Sequence, residues 1–202
     1  MKRRLFVLAA LFSLLTVPAF AQAPETSTRI RGTVISFSGE KLAVHSRDGQ
    51  RVSVTVPPQA RIGALKKMKL SDIKKGDFIG AAAAPGKNGE LHAQEVLIFP
   101  EKMRGAGEGH YPWDLTPNST MTNATVNGIV QRKNSRTLTL EYKGGSNTIM
   151  VDARTPIVTF APGDRSLLKP GAAVLVIAQK QSDGSLVAHI VTAEKNGVKP
   201  PM

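Results

Sequence analysis

Cysteine is absent from all 202 residues, which removes disulfide frameworks, thiolate metal sites and cysteine nucleophiles at once. Aromatic side chains are scarce at 5 %, with one tryptophan and two tyrosines. The stacking platforms that usually hold single-stranded nucleic acid are therefore thin, and nucleic acid is not an expected partner. Past the first segment, no apolar run approaches the roughly 18 residues of a spanning helix, which excludes a helical channel or permease. Acidic residues are also in deficit, 15 against 27 lysines and arginines, for a formal charge of +12. Such a field favours anionic partners, or serves solubility alone.

What is present begins with an address. Lys2, Arg3 and Arg4 precede an apolar run from Leu5 to Val17, followed by small residues at Ala19 and Ala21. These are the three parts of a secretory signal, with cleavage expected before Gln22. Losing its three basic residues lowers the formal charge from +12 to +9. The expected compartment is the periplasm, where lipopolysaccharide phosphates, anionic lipid and acidic polysaccharide supply negative charge.

The rest of the chain reads as two copies of one pattern. Ile30-Arg31-Gly32-Thr33-Val34 lies over Val126-Asn127-Gly128-Ile129-Val130, and Leu42-Ala43-Val44 over Leu138-Thr139-Leu140. After a one-residue slip, Ile73-Lys74-Lys75-Gly76 matches Leu168-Lys169-Pro170-Gly171, and Gly89-Glu90-Leu91-His92-Ala93 matches Gly184-Ser185-Leu186-Val187-Ala188. Each copy reads as five short strands, and alternating apolar and polar residues mark the first three of the first copy as half-buried. In the first they fall at 30–37, 41–46, 51–56, 77–84 and 91–99, with a helical turn near Leu70 to Ile73. In the second they fall at 125–132, 137–142, 147–151, 172–179 and 186–193. Gly32 and Gly128 are expected at matching bends inside the first strands.

Three strands, a short helical turn and two strands is the order of an OB-like five-stranded barrel. The expected organisation is thus all-β: a signal peptide (1–21), a short tail (22–29), a first OB-like domain (30–99), a central Gly/aromatic segment (100–124), a second OB-like domain (125–194) and a C-terminal tail (195–202). The quoted motifs, with Leu70-Ser71-Asp72-Ile73-Lys74-Lys75-Gly76-Asp77, resemble a bacterial domain-of-unknown-function family repeated in exported proteins. The second copy departs at Pro170-Gly171-Ala172. The resemblance implies an OB-like fold and an envelope location, and it implies no reaction.

Catalytic chemistry finds little footing. His45 aligns with Glu141, His92 with Val187 and His189 with Gln94, so no histidine belongs to a site common to both copies. No Gly-x-Ser-x-Gly elbow or zinc-binding histidine spacing occurs. The expectation is a non-catalytic protein without cofactor, binding an envelope ligand or protein partner. Three sets of residues are candidates. His110, Tyr111, Trp113 and Asp114 cluster in the central segment, where a passive linker would be polar, and are expected to form an ordered strap with Trp113 packed on a barrel. Lys66, Lys67, Lys69, Lys74 and Lys75 form a basic cluster suited to phosphate or sulfate groups on an anionic polymer. Met103, His110 and Met121 include the soft and borderline donors that copper takes when cysteine is absent, which opens a role in metal handling.

Overall fold

A computed structural model describes residues 27 to 201. The predicted signal segment and its cleavage site lie outside them. Among the described residues the fold is all-β, with three single helical turns at Leu70–Asp72, Glu101–Met103 and Arg165–Leu167. No described helix is long and apolar enough to cross a membrane.

Thirteen strands join into one continuous hydrogen-bonded sheet. The first copy contributes β1 (Ser27–Ser38), β2 (Lys41–Ser46), β3 (Arg51–Thr55), β4 (Arg61–Lys67), β5 (Phe78–Pro85) and β6 (Leu91–Ile98). The central segment adds β7 (Gly109–Pro112), and the second copy gives β8 (Thr120–Gln131), β9 (Ser135–Tyr142), β10 (Gly145–Asp152), β11 (Ile157–Pro162), β12 (Ala173–Lys180) and β13 (Leu186–Ala193). All ten predicted strands form. Period-two alternation marks strands such as β2 that bury one face, whereas β5 is buried on both faces from Phe78 to Ala83.

How the strands are shared out differs from two independent tandem units. β1 pairs with β2 and β2 with β3, yet the other neighbour of β1 is β12 of the second copy. β12 pairs with β13, and β13 meets β3 at Val187 and Thr55, closing a ring β1-β2-β3-β13-β12. The mirror arrangement closes the second ring, β8-β9-β10-β6-β5, through the β5–β8 and β6–β10 pairings. Each ring takes three strands from one copy and two from the other.

The crossing is made by β4 and β11, which the sequence analysis read as connection. β4 runs antiparallel to β11 and parallel to β13, while β11 runs parallel to β6. At about 3.3 Å per residue, a seven-residue strand carries the chain some 20 Å, enough to deliver β5 and β6 to the other ring. Leu65 and Phe160 occupy matching places in the two copies and face each other in this pairing. A pseudo-two-fold axis therefore passes between them. Local pattern cannot foresee such an exchange, because an exchanged strand makes the same kind of contacts in either ring.

The register also corrects the alignment of the first strands. Thr33 faces Ala173 and Thr125 faces Phe78, while Ala173 and Phe78 are counterparts. Val34 is therefore equivalent to Val126, and Gly32 does not lie over Gly128. The β1–β2 hairpin runs from Val34 to its partner Val44, whereas β8–β9 runs from Val126 to Leu140, four residues longer. The two glycines serve different needs. A Cβ on Gly32 would stand 2.2 Å from the His45 carbonyl oxygen, but one on Gly128 would meet only the Thr139 side chain at 3.3 Å.

Each ring holds its own core, and each core draws on both copies. Val34, Leu42, Val44 and Val54 pack with Leu168, Val174, Val176 and Val191 in one. Ile73, Ile79 and Val96 pack with Val126, Leu138, Leu140 and Ile149 in the other. At roughly 1.5–3 kcal/mol per buried aliphatic side chain, losing the other copy's share removes a sum comparable to a domain's whole stability of about 5–15 kcal/mol. Residues 27–99 and 100–201 expressed separately are accordingly expected to be unfolded or self-associated, and to recover β circular dichroism on mixing as a one-to-one complex. A stable folded monomer from residues 27–99 would show that exchange is not required. Gly32→Ala is expected to cost about 3 kcal/mol in chemical denaturation, and Gly128→Ala under about 1 kcal/mol.

Candidate functional site

The strands that cross between the rings leave a cavity of about 410 Å³ beside the pseudo-two-fold axis. Its walls are β4 and β11 in the centre, β5 and β6 on one side, and β12 and β13 on the other, with the central segment contributing Met103, Tyr111 and Trp113. The lining is aliphatic and aromatic, including Leu65, Leu97, Phe99, Phe160 and Ile190. Phe99 lies 5.3 Å from Phe78 and 5.9 Å from Phe160, ring centre to ring centre.

β-Bulges aim side chains at this space. The β5–β6 register shifts between Ala82 and Ala83, leaving Gln94 unpaired on β6. Ala93 faces the ring core before the bulge and Val96 and Ile98 face it afterwards, so Glu95 and Leu97 turn outward to the cavity. The β12–β13 pair has the same shift at the matching place, where His189 is the extra residue and Ile190 and Thr192 line the opposite wall.

The two walls are not equal. Leu175, Ile177 and Ile190 on one side correspond to Gly80, Ala82 and Glu95 on the other. Two small residues open the space, and an acid replaces an aliphatic side chain. At Gly80 a Cβ would stand 2.6 Å from Asn123 Oδ1 and 3.1 Å from the Phe99 ring, so any side chain there would fill the space these groups use.

Glu95 is the chemically distinctive group. Its side chain makes no hydrogen bond with any described residue, and burial among apolar neighbours pushes its carboxyl up to about 7 against the opposing charge of Arg31. Two other lining residues carry buried polar atoms without a partner, Trp113 at Nε1 and Asn123 at Oδ1. The Asn123 amide donates to the Ala106 carbonyl and the Tyr111 hydroxyl, at 3.2 and 3.1 Å.

The central segment is an ordered strap. β7 pairs with β8, and the strap crosses to the other ring at Trp113 and Asp114. The Arg29 guanidinium lies 4.1 Å from the Trp113 ring centre and that of Arg31 5.5 Å away. Tyr111 meets Trp113 edge-on at 6.3 Å. Trp113 is partly buried beneath this arginine pair, which β1 of the first ring supplies. Asp114 accepts from Arg31 Nη1 at 2.7 Å, and Arg47 donates to the Asp114 and Leu115 carbonyls. Burial alone would raise the Asp114 carboxyl, but the Arg31 hydrogen bond and the charges of Arg31 and Arg29 hold it below the ordinary range. Its role here is to fasten the strap. Burial raises the Tyr111 phenol against the nearby Arg29.

The other candidates are divided. Tyr111 pairs with Met121 on the cavity side, whereas strand alternation turns His110 to the opposite face, where it hydrogen-bonds Thr122 at 2.8 Å and stacks on Tyr142. Met103 and Met121 line the cavity without His110, so the proposed soft-metal donor set is not assembled. Among the described residues no group of three or more histidines, aspartates or glutamates is placed to hold a metal. Of the five lysines, Lys67 and Lys69 border a separate open cleft. Lys74 donates to the Ser71 carbonyl at 2.8 Å.

Sequence reasoning found the strap and its methionines but missed Glu95, Gly80 and Ala82. The available signal was the repeat itself, which sets Glu95 against Ile190 and Gly80 against Leu175. The raised carboxyl carries a stability signature. Below pH 4.5 it is protonated in folded and unfolded chains alike. As pH rises to 7 the unfolded chain releases its proton first, so stability falls, and above 7 the full cost, at most about 3 kcal/mol, is present. Glu95→Gln is therefore expected to match the native melting temperature at pH 4 and exceed it by several degrees at pH 8. Equal shifts at both pH values would contradict the assignment.

Residues 127–192 match the model of a family described as a domain of unknown function (DUF5666). That span runs from the last five residues of β8 through all but the last residue of β13, so what the family model recognises is one copy of the repeat, whose strands serve both rings. No curated protein and no solved structure matches the chain.

Proposed function

We propose that this is an exported, non-catalytic binding protein of the periplasm, built as two OB-like barrels with exchanged strands. Its ligand site is the cavity between the rings. The observation that carries this reading is a carboxyl without a hydrogen-bond partner, raised to about 7, in the wall of a mostly apolar space of about 410 Å³ that Arg61, Asn123 and Thr192 also border. Small-molecule sites commonly have this form, an apolar enclosure with few polar groups that fix orientation. The ligand class that fits has an apolar body and one polar head bearing an amine or hydroxyl, either of which donates to the ionised Glu95, while a hydroxyl also accepts from the protonated carboxyl.

The basic N-terminal signal supports export. The near-duplicate walls supply a built-in control, since Ile177 stands where Ala82 leaves room.

The test uses N-phenyl-1-naphthylamine, an apolar fluorophore with a single N–H. It is expected to bind one-to-one with a blue-shifted emission and to quench Trp113. Ala82→Ile should weaken binding at least about tenfold by filling the cavity, and Glu95→Gln should remove its pH dependence between 5 and 8. No saturable binding to the native protein, or binding unaltered by both substitutions, would overturn the reading.

A further inference from the structure

The second cleft, of about 940 Å³, lies on the other side of Glu95 from the cavity, and Glu95 and Pro201 border both. The end of β4, the turn entering β11 and the C-terminal segment form its sides. Four cations line it: Lys67 and Lys69 from the first copy, Arg154 from the second, and Lys199 from the C-terminal segment. All four are exposed. Among the described residues none of the four is within ion-pair distance of a carboxylate, and none of their side chains donates to another group. The acid lining the cleft is Glu95, which burial keeps largely protonated below pH 7.

At the positions related by the repeat the cations are differently placed: Lys67 becomes Pro162, Lys69 becomes Asp164 and Arg154 becomes Gln59, while Leu70 becomes Arg165 and Pro156 becomes Arg61. Lysines and arginines from three separated stretches of chain converge here without counter-charges, an arrangement that repels itself until an anion fills it. The C-terminal segment that brings Lys199 is fixed in place: Arg31 Nε donates to the Pro201 carbonyl at 3.1 Å, and Lys195 Nζ to the Pro162 carbonyl at 2.8 Å. The tail expected at 195–202 thus supplies, through residues 197–201, a wall of the cleft.

We infer that this cleft is a binding site for phosphate-bearing groups, distinct from the apolar cavity. Three or four cations around an open space suit the compact, multiply charged oxygens of a phosphate monoester or diphosphate. The chemistry is the same whether the group is free or carried on a lipid, and the test separates these sources.

The purified protein is titrated calorimetrically with inorganic pyrophosphate, and separately sedimented with phosphatidylcholine vesicles with and without phosphatidic acid. Binding to at least one phosphate source is expected. Lys67→Gln/Lys69→Gln and Arg154→Gln/Lys199→Gln should each weaken it at least about tenfold, while Lys74→Gln/Lys75→Gln, which removes the same charge outside the cleft, changes it less than about twofold. Pyrophosphate binding with this pattern identifies a free phosphate group as sufficient, and binding to phosphatidic acid vesicles alone, with the same pattern, identifies a lipid-borne one. Equal loss in all three double variants would show a diffuse field and overturn the site, as would no binding to either source. Binding of the naphthylamine probe is measured alongside, and its persistence in the cleft variants separates this site from the cavity.

Discussion

The antiparallel crossing of β4 and β11 is the contact on which the rest of the molecule depends. It places Leu65 against Phe160, fixes the pseudo-two-fold relation, and sends the last two strands of each copy into the opposite ring. Without it neither ring has its full complement of strands, and the space bounded by both rings does not exist. Both the cavity and the basic cleft are consequences of the exchange, since their walls combine strands and turns that no single copy contains.

Duplication followed by unequal change explains why a site arose at one place in a nearly symmetric frame. On the β12–β13 side, Leu175, Ile177 and Ile190 fill their wall with aliphatic bulk. On the β5–β6 side, Gly80 and Ala82 leave space and Glu95 brings a carboxyl into it. Arg31 and Asn123 likewise occupy equivalent positions in β1 and β8 and are both buried. One anchors Asp114 and the C-terminal segment, and the other holds the strap through Ala106 and Tyr111. Symmetry supplied the enclosure and its breaking supplied the chemistry.

What the sequence revealed and what it hid follow from the range of the interactions involved. Strand positions were legible because alternation is local, and the strap was legible because Tyr111 and Trp113 are out of place in a passive linker. The exchange was not legible, since the apolar run of β5 is the same whichever ring it joins. The register of Gly32 and Gly128 misled because similar tripeptides sit on either side of a four-residue difference in hairpin length, which only the pairing of Val34 with Val44 and Val126 with Leu140 reveals. Glu95 escaped notice for a related reason. Uninterrupted alternation puts it on the same face as Ala93, toward the core, and the bulge at Gln94 reverses that.

The pairing of β1 with β12 ties Arg31 to Leu175 across most of the chain. A polypeptide emerging amino end first, from a ribosome or through a narrow pore, would therefore hold β1, β2 and β3 for a long interval as an incomplete sheet with its β1 edge unpaired. The first ring cannot close until β12 and β13 have emerged, and contacts at such separation form slowly. The architecture thus delays folding until synthesis or passage is nearly finished, keeping the chain threadable for as long as threading lasts. The same delay leaves that edge open to other chains, so conditions that slow the arrival of the carboxyl-terminal strands should favour aggregation.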